Sequence, residues 1–123
     1  MLNLKTILIV EENAYVALDL VSAVEGNRGT VVGPVATAVE ALEIVDSKEI
    51  HAAIVDADVS NIASLASRLG QGKVPLVFQA GAQIPAAVRP WVDPTTILYR
   101  PVDPAMMVSM LAIAIDRTDD SDG

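Results

Sequence analysis

The sequence predicts an α/β domain: a parallel sheet with helices packed on both of its faces. Short aliphatic and β-branched runs recur along the chain, and they are continuous, as strands covered on both sides require. Segments with helical apolar spacing separate them, so strand and helix alternate five times and right-handed crossovers follow.

The first run, Thr6 to Val10, stops at two acids. A weaker run, Thr30 to Val32, is closed by Gly33 and Pro34, while Ala52 to Val55 ends at Asp56. Leu76 to Ala80 ends at Gly81, and Thr96 to Tyr99 ends at Arg100. Among the intervening helices, the first is expected to start at Asn13 as N-cap, turn Ala17, Leu20, Val21 and Val24 inward, and end at Gly26 or Gly29. Thr37 and Glu40 have capping-box spacing, and Val39, Leu42 and Val45 supply the apolar stripe of a second helix. Ser60 or Asn61 starts a third, through Leu69, with Gly70 after it. The stretch Ile84 to Val92 is a weak helix because Pro90 cuts it short. Met106 to Ile115 forms the last helix, with Asp103 or Pro104 near its start. Residues 117–123 carry no apolar anchor, so the domain is expected over 1–116 with a flexible acidic tail over 117–123.

Composition narrows the function classes. The chain has 123 residues and is 52% hydrophobic, enough for one domain with a two-sided core. Its formal net charge of -8 opposes a polyanion, so no nucleic-acid partner is expected. With no cysteine, disulfides, thiolate metal sites and cysteine nucleophiles are excluded. The start lacks a secretory pattern, and the apolar run near MMVSMLAIAI is too short to span a bilayer, so a soluble, cytoplasmic protein without a membrane partner is expected.

In an open parallel sheet, residues just past the strand C-termini converge on one rim. Here that rim gathers Glu11 and Glu12, then Asp56 and Asp58, Ala80 and Gly81, and finally Arg100. Four carboxylates repel one another unless a hard cation or the guanidinium compensates them, which suggests a magnesium pocket. The blander readings are a helix-terminus preference for Glu11 and Glu12, a turn-capping carboxylate for Asp56 and a surface salt bridge for Arg100. His51 precedes its strand and falls on the opposite edge, as an ordinary surface residue. Met106, Met107, Met110 and Leu111 are too many for one narrow helix face, so some are core and the rest an adaptable exposed patch.

The blocks ILIVEEN, AAIVDAD, PLVFQAG and LYRPVDP resemble the four signature blocks of response-regulator receiver domains, and the resemblance covers Lys5 to Ile115. It implies a flavodoxin-like, doubly wound five-stranded parallel sheet of strand order 2-1-3-4-5. It also implies a non-enzymatic, stand-alone module of two-component signalling in which Asp56 accepts a phosphoryl group from a histidine kinase or phosphotransfer protein. Glu11, Glu12, Asp56 and the backbone carbonyl of Asp58 match the Mg2+ ligands, Arg100 matches the family's lysine, and Ala80 matches the hydroxyl residue that bonds the phosphoryl group. Signalling would run through a downstream protein partner or a homodimer formed on the face of helix four, strand five and helix five.

Three departures stand out. Glu12 is one methylene longer than the usual aspartate and weakens metal affinity, and Ala80 has no donor. Arg100 offers a planar fork that can pair with Asp56 before any phosphoryl group arrives. The alternative is therefore a phosphorylation-independent pseudo-receiver acting as a protein-binding module. A flavin carrier is disfavoured, because the acidic EENAYV replaces the Ser/Thr/Gly loop that would hold a flavin phosphate.

Overall fold

A computed structural model of the chain describes residues 1–81 and 83–122, with side chains as far as residue 118. Five strands, β1 (Thr6–Val10), β2 (Thr30–Val35), β3 (Ala52–Asp56), β4 (Leu76–Ala80) and β5 (Ile97–Tyr99), form one sheet of order β2-β1-β3-β4-β5. Every neighbouring pair is parallel. The helices are α1 (Ala14–Gly26), α2 (Ala38–Ser47), α3 (Ile62–Gln71) and α4 (Pro104–Asp122).

Strand alternation divides the core into two layers. Leu8, Val10, Ala53, Val55, Phe78 and Ala80 pack under α2 and α3. Their chain neighbours Ile7, Ile9, Ile54 and Val77 pack under α1 and α4, where Leu20, Val24, Met107 and Leu111 meet them. Because β1, β3 and β4 are covered on both faces, the apolar runs had to be continuous.

The local signals act largely as expected. Asn13 caps α1, its Oδ1 accepting from Tyr15 N at 3.0 Å and Val16 N at 3.2 Å. Thr37 Oγ1 accepts from Glu40 N at 3.1 Å and donates to Glu40 Oε1 at 3.0 Å. His51 is exposed, and its Nδ1 accepts from Thr6 N at 2.8 Å.

Several expectations are corrected. β2 does not stop at Val32: Gly33, with φ +95°, opens a bulge that lets the strand run on to Val35, and Val10 then pairs with Val35. A Cβ at Gly33 would lie 2.9 Å from Val35 N, so this close passage requires glycine. Of the stripe expected on α2, Leu42 and Val45 pack partly buried against the core, while Val39 is exposed and the fully buried positions are Ala38 and Ala41, whose small side chains let the helix sit close to the sheet. On α1, Val21 is only partly buried. α3 passes through Gly70 and ends at Gln71.

Among the described residues, no α-helix lies between β4 and β5. That segment holds two single 3-10 turns, Arg89–Trp91 and Pro94–Thr96, in each of which proline leaves one N–H fewer for a helical ladder. The face of helix four, strand five and helix five is therefore not formed as expected, since its first helix is absent. α4 continues beyond Ile115 to Asp122, and Arg117 Nη1 donates to Thr95 Oγ1 at 3.1 Å, which holds its extra turn against the loop before β5. The stretch expected as a tail from residue 117 is thus helical through Asp122, and Gly123 lies outside the described residues. Among the described residues, no helix is long and apolar enough to cross a membrane.

Candidate functional site

The C-terminal rim of the sheet brings Glu11, Asp56, Asp58 and Arg100 together. Glu11 follows β1 and is 4% exposed. Its backbone N–H donates to Val35 O, and its Oε2 accepts from Asn13 N at 3.1 Å. Asn13 therefore does two things at once: its side chain starts α1 and its N–H fixes the Glu11 carboxyl.

Asp56 is the last residue of the central strand and is 3% exposed. Its Oδ1 accepts from Asp58 N at 2.9 Å and lies 2.8 Å from Arg100 Nη2. Among the described residues no N–H group donates to Oδ2, and the Glu11 carboxyl lies within hydrogen-bonding reach of the Asp56 carboxyl. Arg100 leaves β5 with its backbone N–H bonded to Ala80 O at 2.8 Å, which aims the side chain back over the rim. Its second nitrogen, Nη1, donates to Asp58 Oδ2 at 2.8 Å, so one guanidinium bridges two carboxylates. Gly81 makes room for this bridge, because a Cβ there would stand 3.3 Å from Asp58 Oδ2.

One cation thus faces three carboxylates, and the electrostatics show the imbalance. Glu11 Oε1 is buried with no hydrogen-bond partner among the described residues, and it lies 3.7 Å from Arg100 Nη2. Burial raises the Glu11 carboxyl above its ordinary value, with the neighbouring Asp56 adding to the rise; Asn13 N and the Arg100 charge only partly oppose it. Burial pulls the Arg100 guanidinium down, but its hydrogen bonds to Asp56 and Asp58 and the charges of Asp56 and Glu11 outweigh that and raise it.

Two expected site residues fall elsewhere. Glu12 is exposed and lines a separate hollow of about 220 Å³ with Thr37, Val59 and Asn61, since adjacent residues leaving a strand point to opposite sides. Ala80 is fully buried in the α2–α3 layer beside Phe78. The register partner of Asp56 is Gln79, which stands on the α1–α4 face in phase with Val77. Asp58 engages the site through its side chain. Sequence reasoning placed Gly81 at the rim but gave the position beside Asp56 to Ala80 rather than Gln79, although counting two residues on from Val77, in step with Ile54 and Asp56, would have found the glutamine.

The magnesium donor set is not assembled. Among the described residues no group of three or more His, Cys, Asp and Glu side chains is arranged to hold a metal ion. Glu12 lies outside the cluster, and the Arg100 guanidinium takes the position between Asp56 and Asp58. These residues do not fit a divalent cation in this arrangement, and the compensating charge at the rim belongs to the protein itself.

No protein-family model and no curated protein sequence matches the chain. Solved structures do. A response regulator receiver protein from Sinorhizobium medicae WSM419 aligns at 18% identity and a TM-score of 0.80, over 93% of this chain and 96% of that one. The signal receiver domain of a modulated diguanylate cyclase from Desulfovibrio desulfuricans G20 aligns at 23% identity and a TM-score of 0.82, over 96% and 98%. A CheY-like response regulator receiver domain protein from Methanospirillum hungatei JF-1 gives 17% identity and a TM-score of 0.82, over 96% and 98%. Strand order, parallel pairing and these near-complete superpositions give one conclusion: the chain has the receiver-domain fold.

Proposed function

We propose that the chain is a receiver module of a two-component phosphorelay. In this reading it takes a phosphoryl group on Asp56 from a histidine kinase or phosphotransfer protein in the cytoplasm and signals by protein contacts. The observation that carries it is the placement of Asp56. A carboxylate at the end of the central strand is fixed through Oδ1 by Asp58 N and the Arg100 guanidinium, and among the described residues no N–H group donates to its Oδ2. In the transfer, Asp56 Oδ2 forms the new bond to phosphorus as the phosphorus–nitrogen bond of a phosphohistidine breaks, and the imidazole leaves. Arg100 faces the oxygens on which charge develops, and a planar guanidinium suits them.

A second reading has its own support. Because Arg100 already occupies Asp56 Oδ1, and Gln79 presents no hydroxyl beside it, the unmodified rim is closed by a cation that cannot diffuse away. This favours a phosphorylation-independent protein-binding module, in which the fold is kept and one conformation is locked.

Intact-mass measurement after incubation with acetyl phosphate separates the two. The relay reading expects the mass of one phosphoryl group to be gained, and the gain to vanish in Asp56→Asn. An unchanged mass at saturating donor, with and without magnesium, leaves the binding-module reading.

A further inference from the structure

Between α1 and α4, on the sheet face away from α2 and α3, a cleft of about 450 Å³ opens beside the rim. Its walls are apolar: Val16 and Leu20 from α1, Val102 and Pro104 from the loop after β5, and Met107 from α4. Gln79 also lines it. This glutamine is 5% exposed, it lies on the same sheet face as the cleft, and among the described residues its carboxamide has no hydrogen-bond partner. Among the described residues only Glu11 Oε1 is a buried side-chain polar atom without a partner, so the Gln79 carboxamide is open to the cleft, where a ligand can take the place of water on it.

We propose that this cleft binds a neutral, compact ligand with an apolar ring and a carboxamide or lactam group, held by reciprocal hydrogen bonds to Gln79. The volume suits such a molecule, and one polar anchor in an apolar wall is the usual construction of a small-molecule site. Charge selects neutrality. Arg100 reaches the cleft, but its charge is already matched by Asp56 and Asp58, with Glu11 nearby. Asp19 at the margin and the net charge of -8 oppose an anion. A cation would give up hydration against Leu20 and Met107 for the sake of Asp19 alone. A carboxamide offers one donor edge and one acceptor edge in a plane, so its best complement is a second planar donor–acceptor pair.

The cleft shares Arg100 with the rim but its binding requires no phosphoryl transfer to Asp56, so the test can be run on the full chain with or without Asp56→Asn. The probes are benzamide, acetophenone, which keeps the ring and acceptor but lacks the donor, and benzoate, each titrated into the 15N-labelled protein. Benzamide is expected to move the Gln79 side-chain NH2 resonances with the backbone amides of Leu20 and Met107, and to bind about 5- to 10-fold more tightly than acetophenone, the margin of one added hydrogen bond. Gln79→Leu, which keeps the volume, is expected to erase that preference while resonance dispersion shows the fold intact. Val16→Phe at the mouth is expected to weaken both neutral probes and serves if the first variant does not fold. The proposal is overturned if benzamide leaves these resonances unmoved at its solubility limit, if its preference survives Gln79→Leu, or if benzoate binds best.

Discussion

Arg100 Nη2 lies 2.8 Å from Asp56 Oδ1 and Nη1 lies 2.8 Å from Asp58 Oδ2, so one side chain from β5 ties the central strand to the loop that follows it. The two contacts are unequal. Asp56 is buried while the Asp58 side chain is 49% exposed, so screening reduces the second contact to within about 1 kcal/mol. The first matters more, because its loss strands Asp56 beside Glu11.

Arg100→Met is therefore expected to destabilise the fold by about 2 kcal/mol at neutral pH, below the range for a fully buried pair because the Arg100 side chain is 31% exposed. The loss should shrink on acidification, as the carboxyls it uncovers take up protons. Urea midpoints at neutral and acid pH check this. The same variant should gain stabilisation from magnesium that the parent lacks, since removing the guanidinium leaves carboxylates with no internal cation. Equal magnesium responses in the two proteins would show that Arg100 does not hold the cation's place.

Glu11 gives a pH dependence of definite sign. Its carboxyl titrates above the ordinary value of 4.5 in the folded chain, so between that value and the folded one the native state binds more protons than the unfolded state. Its contribution is full below 4.5 and is lost as pH rises through the folded value. Glu11→Gln keeps an acceptor for Asn13 N and removes the charge. It should raise the melting temperature at neutral pH and flatten the decline that begins above 4.5. A variant melting below the parent at pH 7 would mean that the Glu11 charge is tolerated and useful.

Why these groups were legible from sequence, and others were not, is a question of range. Asp56, Glu11 and Arg100 follow apolar runs, and convergence of strand ends in a parallel sheet is independent of side-chain detail. The helix starts at Asn13 and Thr37 rest on hydrogen bonds two or three residues long. What failed depended on phase or on distant partners. The direction of Glu12 is set by leaving β1 one residue after Glu11, and the exchange of Ala80 for Gln79 beside Asp56 is one residue of strand phase. The missing helix between β4 and β5 reflects two prolines whose cost outweighs a weak apolar pattern, and α4 outlasts its apolar stripe because Arg117 finds Thr95 and Asp93.

Gly70 faces the lone tryptophan. A Cβ there would stand 2.9 Å from Trp91 Cε3, and the Trp91 backbone N–H is held by Val88 O at 2.9 Å, so the ring must give way. Gly70→Ala gains up to about 1 kcal/mol of helix propensity in α3 and loses about 1–3 kcal/mol to overpacking. The expected result is a net loss of about 1 kcal/mol with a red-shifted Trp91 emission as the ring moves outward. A more stable variant with unchanged emission would show that the loop before β5 yields freely.

Asn13 couples helix initiation to the rim. Its Oδ1 takes the N–H groups of Tyr15 and Val16, while its own N–H holds Glu11 Oε2. Asn13→Ala removes the acceptor and leaves the backbone donor, so it should cost about 1 kcal/mol, with the pH dependence assigned to Glu11 kept. Asn13→Asp restores the acceptor but adds a negative charge next to a carboxyl that burial and Asp56 already raise above its ordinary value. It should recover the cap energy and extend the acid-side stabilisation to higher pH, because a second nearby charge makes Glu11 harder to ionise. Melting curves of both variants across pH 4 to about 7 distinguish the roles. If Asn13→Asp shifts the curve uniformly without moving its pH dependence, Asn13 is a helix cap alone and the rim does not sense its charge.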